Sequence, residues 1–333
     1  MCPDHPADDV SSETVRPLGG ALLGRQLPVV LPDWPVQRIA APLLGSAAGS
    51  WQETWLSVQI VTCGNDEGVA WCRAGQLLYG VIDLDEADFP GQADCSPLQA
   101  ASCEAYRRIF RLLDAQGLPH LWRVWNYLAD INRESHGLER YRQFNIGRQD
   151  AFLEGRRGAT GNVPAACAIG LAGGPLSIAF MAGDSPAVPI ENPRQVSAYN
   201  YPADYGPRSP TFSRAALVYP PGQEIFFISG TASIVGHRTL HPDDVVAQTR
   251  EALANIAAVV AEANRLCRGP AYALDALSYR VYVRHAADFP RVRETLAPLV
   301  GTSAEIVYVQ ADICRHDLLL EIEAIASHGL ENC

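Results

Sequence analysis

The 333-residue sequence predicts an α+β protein of two tandem β-α-β-α-β-β units, each a mixed sheet packed against helices, so that a single chain is pseudo-oligomeric. Three observations lead there: one order of strand-like and helix-like segments occurs twice, the first helices of the two copies share an apolar spacing, and a 48% hydrophobic composition can bury a large core. In the C-terminal copy, "EIFFISGTASI" predicts a strand, "DVVAQTREALANIAAVVAEAN" an amphipathic helix, "SYRVYVRHAADF" a strand and "PRVRETLAPLV" a helix. "AEIVYVQADI" and "DLLLEIEAIAS" complete it with two strands. The earlier copy has the same order in "QLLYGVIDL", "LQAASCEAYRRIFRLLDAQG", "HLWRVWNYLADIN", "GLERYRQFNIGRQDAFLEG", "AACAIGLA" and "LSIAFMAG". Ala105, Tyr106 and Ile109 of the first copy match Ala252, Leu253 and Ile256 of the second, a spacing that marks a buried helical face and assigns these residues to the core.

The flanking regions complete a division into four parts. Residues 1–20 are polar and aperiodic and predict a flexible N-terminal arm. Residues 21–185 hold the first unit with additional strand-like pieces, "LPVVLP" and "WLSVQIVTC", which could cover or extend its sheet. Residues 186–220, crowded with Tyr, Pro and Arg, form a long joining segment of the kind that carries function, and residues 221–333 hold the second unit.

A net charge of −11 leaves no basic stripe for a phosphate backbone, so no nucleic acid partner is expected. The acidic N-terminus lacks a signal pattern and no apolar run is long enough to span a bilayer, which predicts a cytoplasmic protein with no membrane partner. The nine cysteines are scattered without a CxxC pair, so each is expected to be a buried, reduced thiol and none a metal ligand. His237 and His241 fall in the turn before a helix and not on it, which predicts no zinc site. "SGTAS" lacks the G-K-[ST] ending of a phosphate loop.

Residues 222–328, through "VAQTREALANI" and "LLLEIEAIAS", resemble the Rid/YjgF family of small α+β proteins. Over residues 50–328, with "NPRQVSAYNYPADYGPRSPTFSRA", "FFISGTASIVGH" and "ADICRHDLLLEIEA", the chain resembles the chorismatases, which remove pyruvate from chorismate and contain Rid-like units. Members differ in product: some release a dihydroxycyclohexadiene carboxylate, others 3-hydroxybenzoate, and one subgroup both 3- and 4-hydroxybenzoate, feeding pigment and ubiquinone synthesis. The hydroxybenzoate-forming types carry a Cys seven residues before the catalytic Glu. Cys314 and Glu321 have that spacing, whereas the diene-forming type has Ala at the Cys position.

Glu321 sits in a strand otherwise made of Leu318, Leu319, Leu320, Ile322, Ala324 and Ile325, where desolvation would raise its pKa and suit it to protonate the enol ether's methylene carbon. Aligning the two copies puts Ser177 opposite Glu321, so only one unit keeps the acid. The alternative is a carboxylate at a solvent-facing edge, a place also open to Glu323. For Cys314, the resemblance implies positioning or relay of a proton during aromatisation, against the alternative of an inert thiol. Arg148, Arg208 and Arg214 are candidates to grip the substrate's two carboxylates, and Tyr199, Tyr201 and Tyr205 to wall its ring. Gly230, Thr231 and Ala232 would bring backbone close to a ligand, with the Thr231 hydroxyl as a donor.

These expectations describe a chorismatase that forms 3- and/or 4-hydroxybenzoate and pyruvate without cofactor or metal. A monomer is plausible and a dimer compatible. Diene-forming chorismate hydrolysis, a Rid-type enamine or imine deaminase and a non-catalytic sensor of aromatic acids are the alternatives.

Overall fold

The computed structural model describes residues 15–30, 32–91 and 94–330. Strands β1 (Arg16–Gly24), β2 (Val36–Ile39) and β3 (Ser50–Ser57) form a small sheet in the order β2-β1-β3. The first unit follows: β4 (Val61–Asp66), β5 (Val69–Ala74), β6 (Leu77–Leu84), α1 (Pro97–Gln116), β7 (His120–Ala129), the ribbon β8 (Glu134–Ser135) and β9 (Leu138–Glu139), α2 (Arg140–Glu154), β10 (Ala165–Leu171) and β11 (Leu176–Gly183). Then come β12 (Val188–Ile190), β13 (Ala215–Val218), β14 (Gln223–Thr231), the ribbon β15 (Ile234–Val235) and β16 (Arg238–Thr239), and α3 (Val245–Ala263). The second unit closes with β17 (Ser278–Val283), α4 (Phe289–Val300), β18 (Ile306–Gln310) and β19 (Leu320–Gly329).

The repeat is topological as well as sequential. One six-stranded sheet runs β10-β7-β11-β6-β5-β4 and the other β12-β13-β14-β19-β17-β18. In each, the last strand lies antiparallel between the first and second, and the third pairs in parallel with the second. Helices α1 and α2 cover the outer face of the first sheet, α3 and α4 that of the second, and the two inner faces meet in a shared core that includes Trp125, Tyr127, Phe227 and Tyr282. The helices begin where the local chemistry allows. Ser96 caps α1 by accepting from Gln99 N at 3.2 Å with Pro97 in the first turn, and Asp244 caps α3 by accepting from Val246 and Ala247 N, each at 3.1 Å. The matched faces are in the core, with Ala105, Tyr106, Ile109, Ala252, Leu253 and Ile256 all buried.

Four expectations are corrected. Residues 1–14 of the expected arm lie outside the described residues, but Arg16 to Gly20 belong to β1, where Leu18 is buried and the strand pairs with both β2 and β3. The described residues of "LPVVLP" form no strand, with Val29 and Val30 exposed, while "WLSVQIVTC" is split between β3 and β4. The joining segment is not all loop, because its ends supply β12 and the wholly buried β13 to the second sheet. Cys63 and Cys72 are not separate thiols; they face each other across β4 and β5 and are joined by a disulfide.

Two backbone seams hold the units together along β10. At one end Ser213 N donates to Pro164 O at 3.0 Å, and Ser229 Oγ accepts from Ala166 N at 2.9 Å while donating to Ser213 O at 2.6 Å. At the other, Gly170 and Asp312 exchange both backbone hydrogen bonds at 2.8 and 2.9 Å. Between the seams β10 runs past Cys167 and Ala168 with no partner strand on that side, and these small residues, with Ala166, face a cavity of about 230 Å³.

Candidate active site

Side chains alternate along β19, so Leu320, Ile322, Ala324 and Ala326 pack on the helical layer while Glu321 and Glu323 point between the sheets. Glu321 is only 4% exposed and lines the cavity. Burial, then the charge of Glu323, pushes its carboxyl up to about 8, against the opposing pull of Arg123, the Cys314 contact and Arg214. At neutral pH Glu321 therefore carries its proton. Room for it comes from the opening of the "SGTAS" stretch: β14 bulges between Ile228 and Thr231, and a Cβ on Gly230 would stand 1.9 Å from Glu321 Oε1. Cys314 Sγ donates to Glu321 Oε2 at 3.9 Å. Burial and the neighbouring Glu321 push the Cys314 thiol far up, which keeps it a neutral thiol.

Two buried guanidinium groups face the same space. Arg148, 2% exposed on α2, donates to Asn145 Oδ1 at 2.9 Å and leaves Nε without a partner. Arg214, 5% exposed, donates through Nη2 to Val196 O and Tyr201 Oη, each at 2.8 Å, lies over the rings of Tyr201 and Phe212, and likewise leaves Nε free. Neither makes an ion pair among the described residues. A buried cation without a counter-ion is costly, and the arrangement suits an anionic ligand. Tyr201 and Tyr205 wall the cavity beside Arg315, whose guanidinium lies 4.1 Å from the Tyr205 ring.

Residues 53–182 match the family described as chorismatase FkbO/Hyg5-like, N-terminal, and residues 211–328 the one described as endoribonuclease L-PSP. A chorismatase of Streptomyces rapamycinicus is 40% identical over 84% of this chain and 83% of its own. The chain belongs to the chorismatase family. A 3-hydroxybenzoate synthase of Streptomyces hygroscopicus is 35% identical over 94% of both chains, and a chorismatase crystal structure superposes with a TM-score of 0.81 at 35% identity over 96% of both. Membership makes this chain an enzyme.

Within this chorismatase-family chain, the cavity brings together Glu321, Cys314, Arg148, Arg214, Tyr205 and Ala232. It leaves out three other residues. Tyr199 does not line it; in its place Tyr201, two residues on, turns inward from the short helical turn Ala198–Asn200. Arg208 is half exposed and pairs with Asp150 at 3.6 Å on the surface, because the Pro-rich loop carries it outward. Thr231 lies past the bulge and spends its hydroxyl on Ser229 O at 2.8 Å. Glu323 is no solvent-facing carboxylate but is 2% exposed and bonded to Arg123. His237 and His241 have separate partners, Tyr205 Oη at 3.1 Å and Glu251 at 3.7 Å. Among the described residues no helix is long and apolar enough to cross a membrane.

Tyr141, Cys167, Phe212 and Arg315 also line the cavity and were not singled out from the sequence. A signal existed for the first: Tyr141, Asn145 and Arg148 stand at i, i+4 and i+7 on α2 and so share one helical face. In the first unit, Ser177 occupies the place of Glu321, and there Gln37 Nε2 of β2 donates to its hydroxyl at 3.2 Å, so the small sheet plugs the equivalent position.

Proposed function

We propose that this enzyme converts chorismate into 3-hydroxybenzoate, 4-hydroxybenzoate or both, with release of pyruvate. The observation that carries the reading is a proton-bearing, buried Glu321 in one cavity with two unpaired buried guanidinium groups, which matches an acid-labile enol ether flanked by two carboxylates. Arg148 and Arg214 hold the carboxylates, and the Tyr201 and Tyr205 rings confine the cyclohexadiene. Glu321 gives its proton to the methylene carbon, so the enolpyruvyl group becomes an oxocarbenium ion and its ether oxygen a good leaving group. The ring C4 hydroxyl oxygen then bonds to C3 as the C3–O bond breaks, pyruvate departs, and the hydroxyl proton returns to Glu321. Opening of the arene oxide with loss of the C3 hydrogen and uptake of a proton on oxygen gives 3-hydroxybenzoate. The net change is an isomeric split of chorismate, with no water consumed and no redox partner required.

Cys314 favours this course over water attack, since its neutral thiol fills the space beside the acid and orders the carboxyl that must take the proton back. The test is incubation of purified protein with chorismate and chromatographic identification of products. Wild type should yield pyruvate and hydroxybenzoate in equal amounts, Glu321→Gln should lose at least about a hundredfold in rate, and Cys314→Ala should divert product towards the diene. Unchanged chorismate with wild type would sink the proposal.

A further inference from the structure

Glu323, two residues beyond the acid, is the centre of a buried ionic network that the reaction as written does not use. On β7, Arg123 bonds its Oε2 and Tyr127 stands behind; on β17, Tyr282 Oη donates to its Oε1 at 2.9 Å and Arg280 Nη1 lies 3.1 Å from the same atom. Tyr127 and Tyr282 share a hydrogen bond of 2.5 Å, and Arg280 Nη1 donates to Tyr127 Oη at 3.1 Å. On β10, the buried Cys167 faces Glu323, and on β3 Glu53 pairs with Arg280 at 2.8 Å. Burial pushes the phenols of Tyr127 and Tyr282 and the thiol of Cys167 up, so all three stay neutral. The charges acting on Glu321 are then Glu323 and Arg123 from behind and Arg214 from the cavity, while Arg280 and Glu53 lie one step further out, paired to Glu323 and to each other. From Arg280 and Glu53 the network opens on a second groove lined by Trp51 and Trp55.

We infer that Glu323 is a positioning residue: its carboxylate, fixed by Arg123, Arg280 and Tyr282 on the same face of β19 as Glu321, neutralises the guanidinium groups that would otherwise strip the proton from the catalytic acid. The geometry requires such a device. Arg123 leaves Nε and Nη1 unpartnered in the core and already acts on the Glu321 carboxyl, so without Glu323 its charge would favour an ionised Glu321. The burial that raises Glu321 would then be opposed by an unbalanced cation, which typically lowers a carboxyl by about 1–3 pH units.

This inference rests on Glu321 being the acid, and the experiment separates the two. The pH profile of kcat/KM for hydroxybenzoate formation is measured for wild type, Glu321→Gln and Glu323→Gln, with melting temperatures recorded alongside. Wild type should lose activity as pH rises through about 8, where Glu321 gives up its proton. Glu323→Gln should move that limb down by at least about one pH unit, so that activity falls at least about threefold at pH 7.5 and recovers towards pH 6. A uniform loss across pH with the limb unmoved would mean that Glu323 is merely structural and would overturn the inference. Full activity in Glu321→Gln would instead overturn the assignment of the acid. Should Glu323→Gln fail to fold, Glu53→Gln at the partly exposed end of the network tests the same field. It should shift the limb in the same direction by a smaller amount at low salt, and an unmoved limb would again count against the inference.

Discussion

Glu321 shows how a single carboxyl couples chemistry to stability. Its pKa is raised in the folded chain from an ordinary 4.5 to about 8, so between these values the folded state holds a proton that the unfolded state has released. Stability therefore falls as pH rises through that window, and the cost is complete only above about 8; linkage puts it on the order of a few kcal/mol. Glu321→Gln, which keeps the shape and removes the titration, should melt several degrees above wild type at pH 8.5, with the difference shrinking towards pH 5. Differential scanning calorimetry across pH checks this, and a difference independent of pH would show that the carboxyl is not neutral when folded.

At the scale of elements, the site is made where regular pairing is interrupted. The bulge in β14 places Gly230 against the acid, and Ser229 just before it stitches the strand to β10. A methyl group at Gly230 would collide first with the end of the Glu321 side chain, which yields before backbone does. Gly230→Ala is thus expected to cost more in function than in folding: about 1–3 kcal/mol of stability, and at least about a tenfold loss of kcat as the carboxyl is displaced. Denaturant titration and steady-state kinetics on the same preparation distinguish this from simple destabilisation, which would leave the folded fraction fully active. Helix α2 contributes differently, through regular geometry, since its i, i+4, i+7 face carries Tyr141 and Arg148 to one wall, with Asn145 between them bonded to Arg148.

For the whole molecule, the two units share more than a linker. Their inner faces form one core, β10 is seamed to the second unit at both ends, and the buried Arg123 and Glu323 pair joins β7 of one sheet to β19 of the other. Separating them would expose that core and leave buried charges without partners, so neither unit has an independent solvent-facing surface in place of the interface. Thermal unfolding should accordingly be one cooperative transition, seen at the same temperature by far-ultraviolet circular dichroism and tryptophan fluorescence. Two resolved transitions would show that the halves fold as separate domains.

The sequence by itself determined the repeated units and the helical faces and predicted the desolvation of Glu321, because each follows from local pattern: an apolar run around an acid and an apolar helical stripe are legible one element at a time. The spacing of Cys314 and Glu321 was legible through the family resemblance. Tertiary structure alone decided which loop residues reach the cavity, putting Tyr201 inside and Tyr199 and Arg208 outside, since loop direction depends on packing against distant elements and has no period to read. It also decided that Glu323 is buried. Alternation placed Glu323 on the same face as Glu321, but only the apposition of the first unit's β7 turned that face into a core and brought Arg123 to meet it.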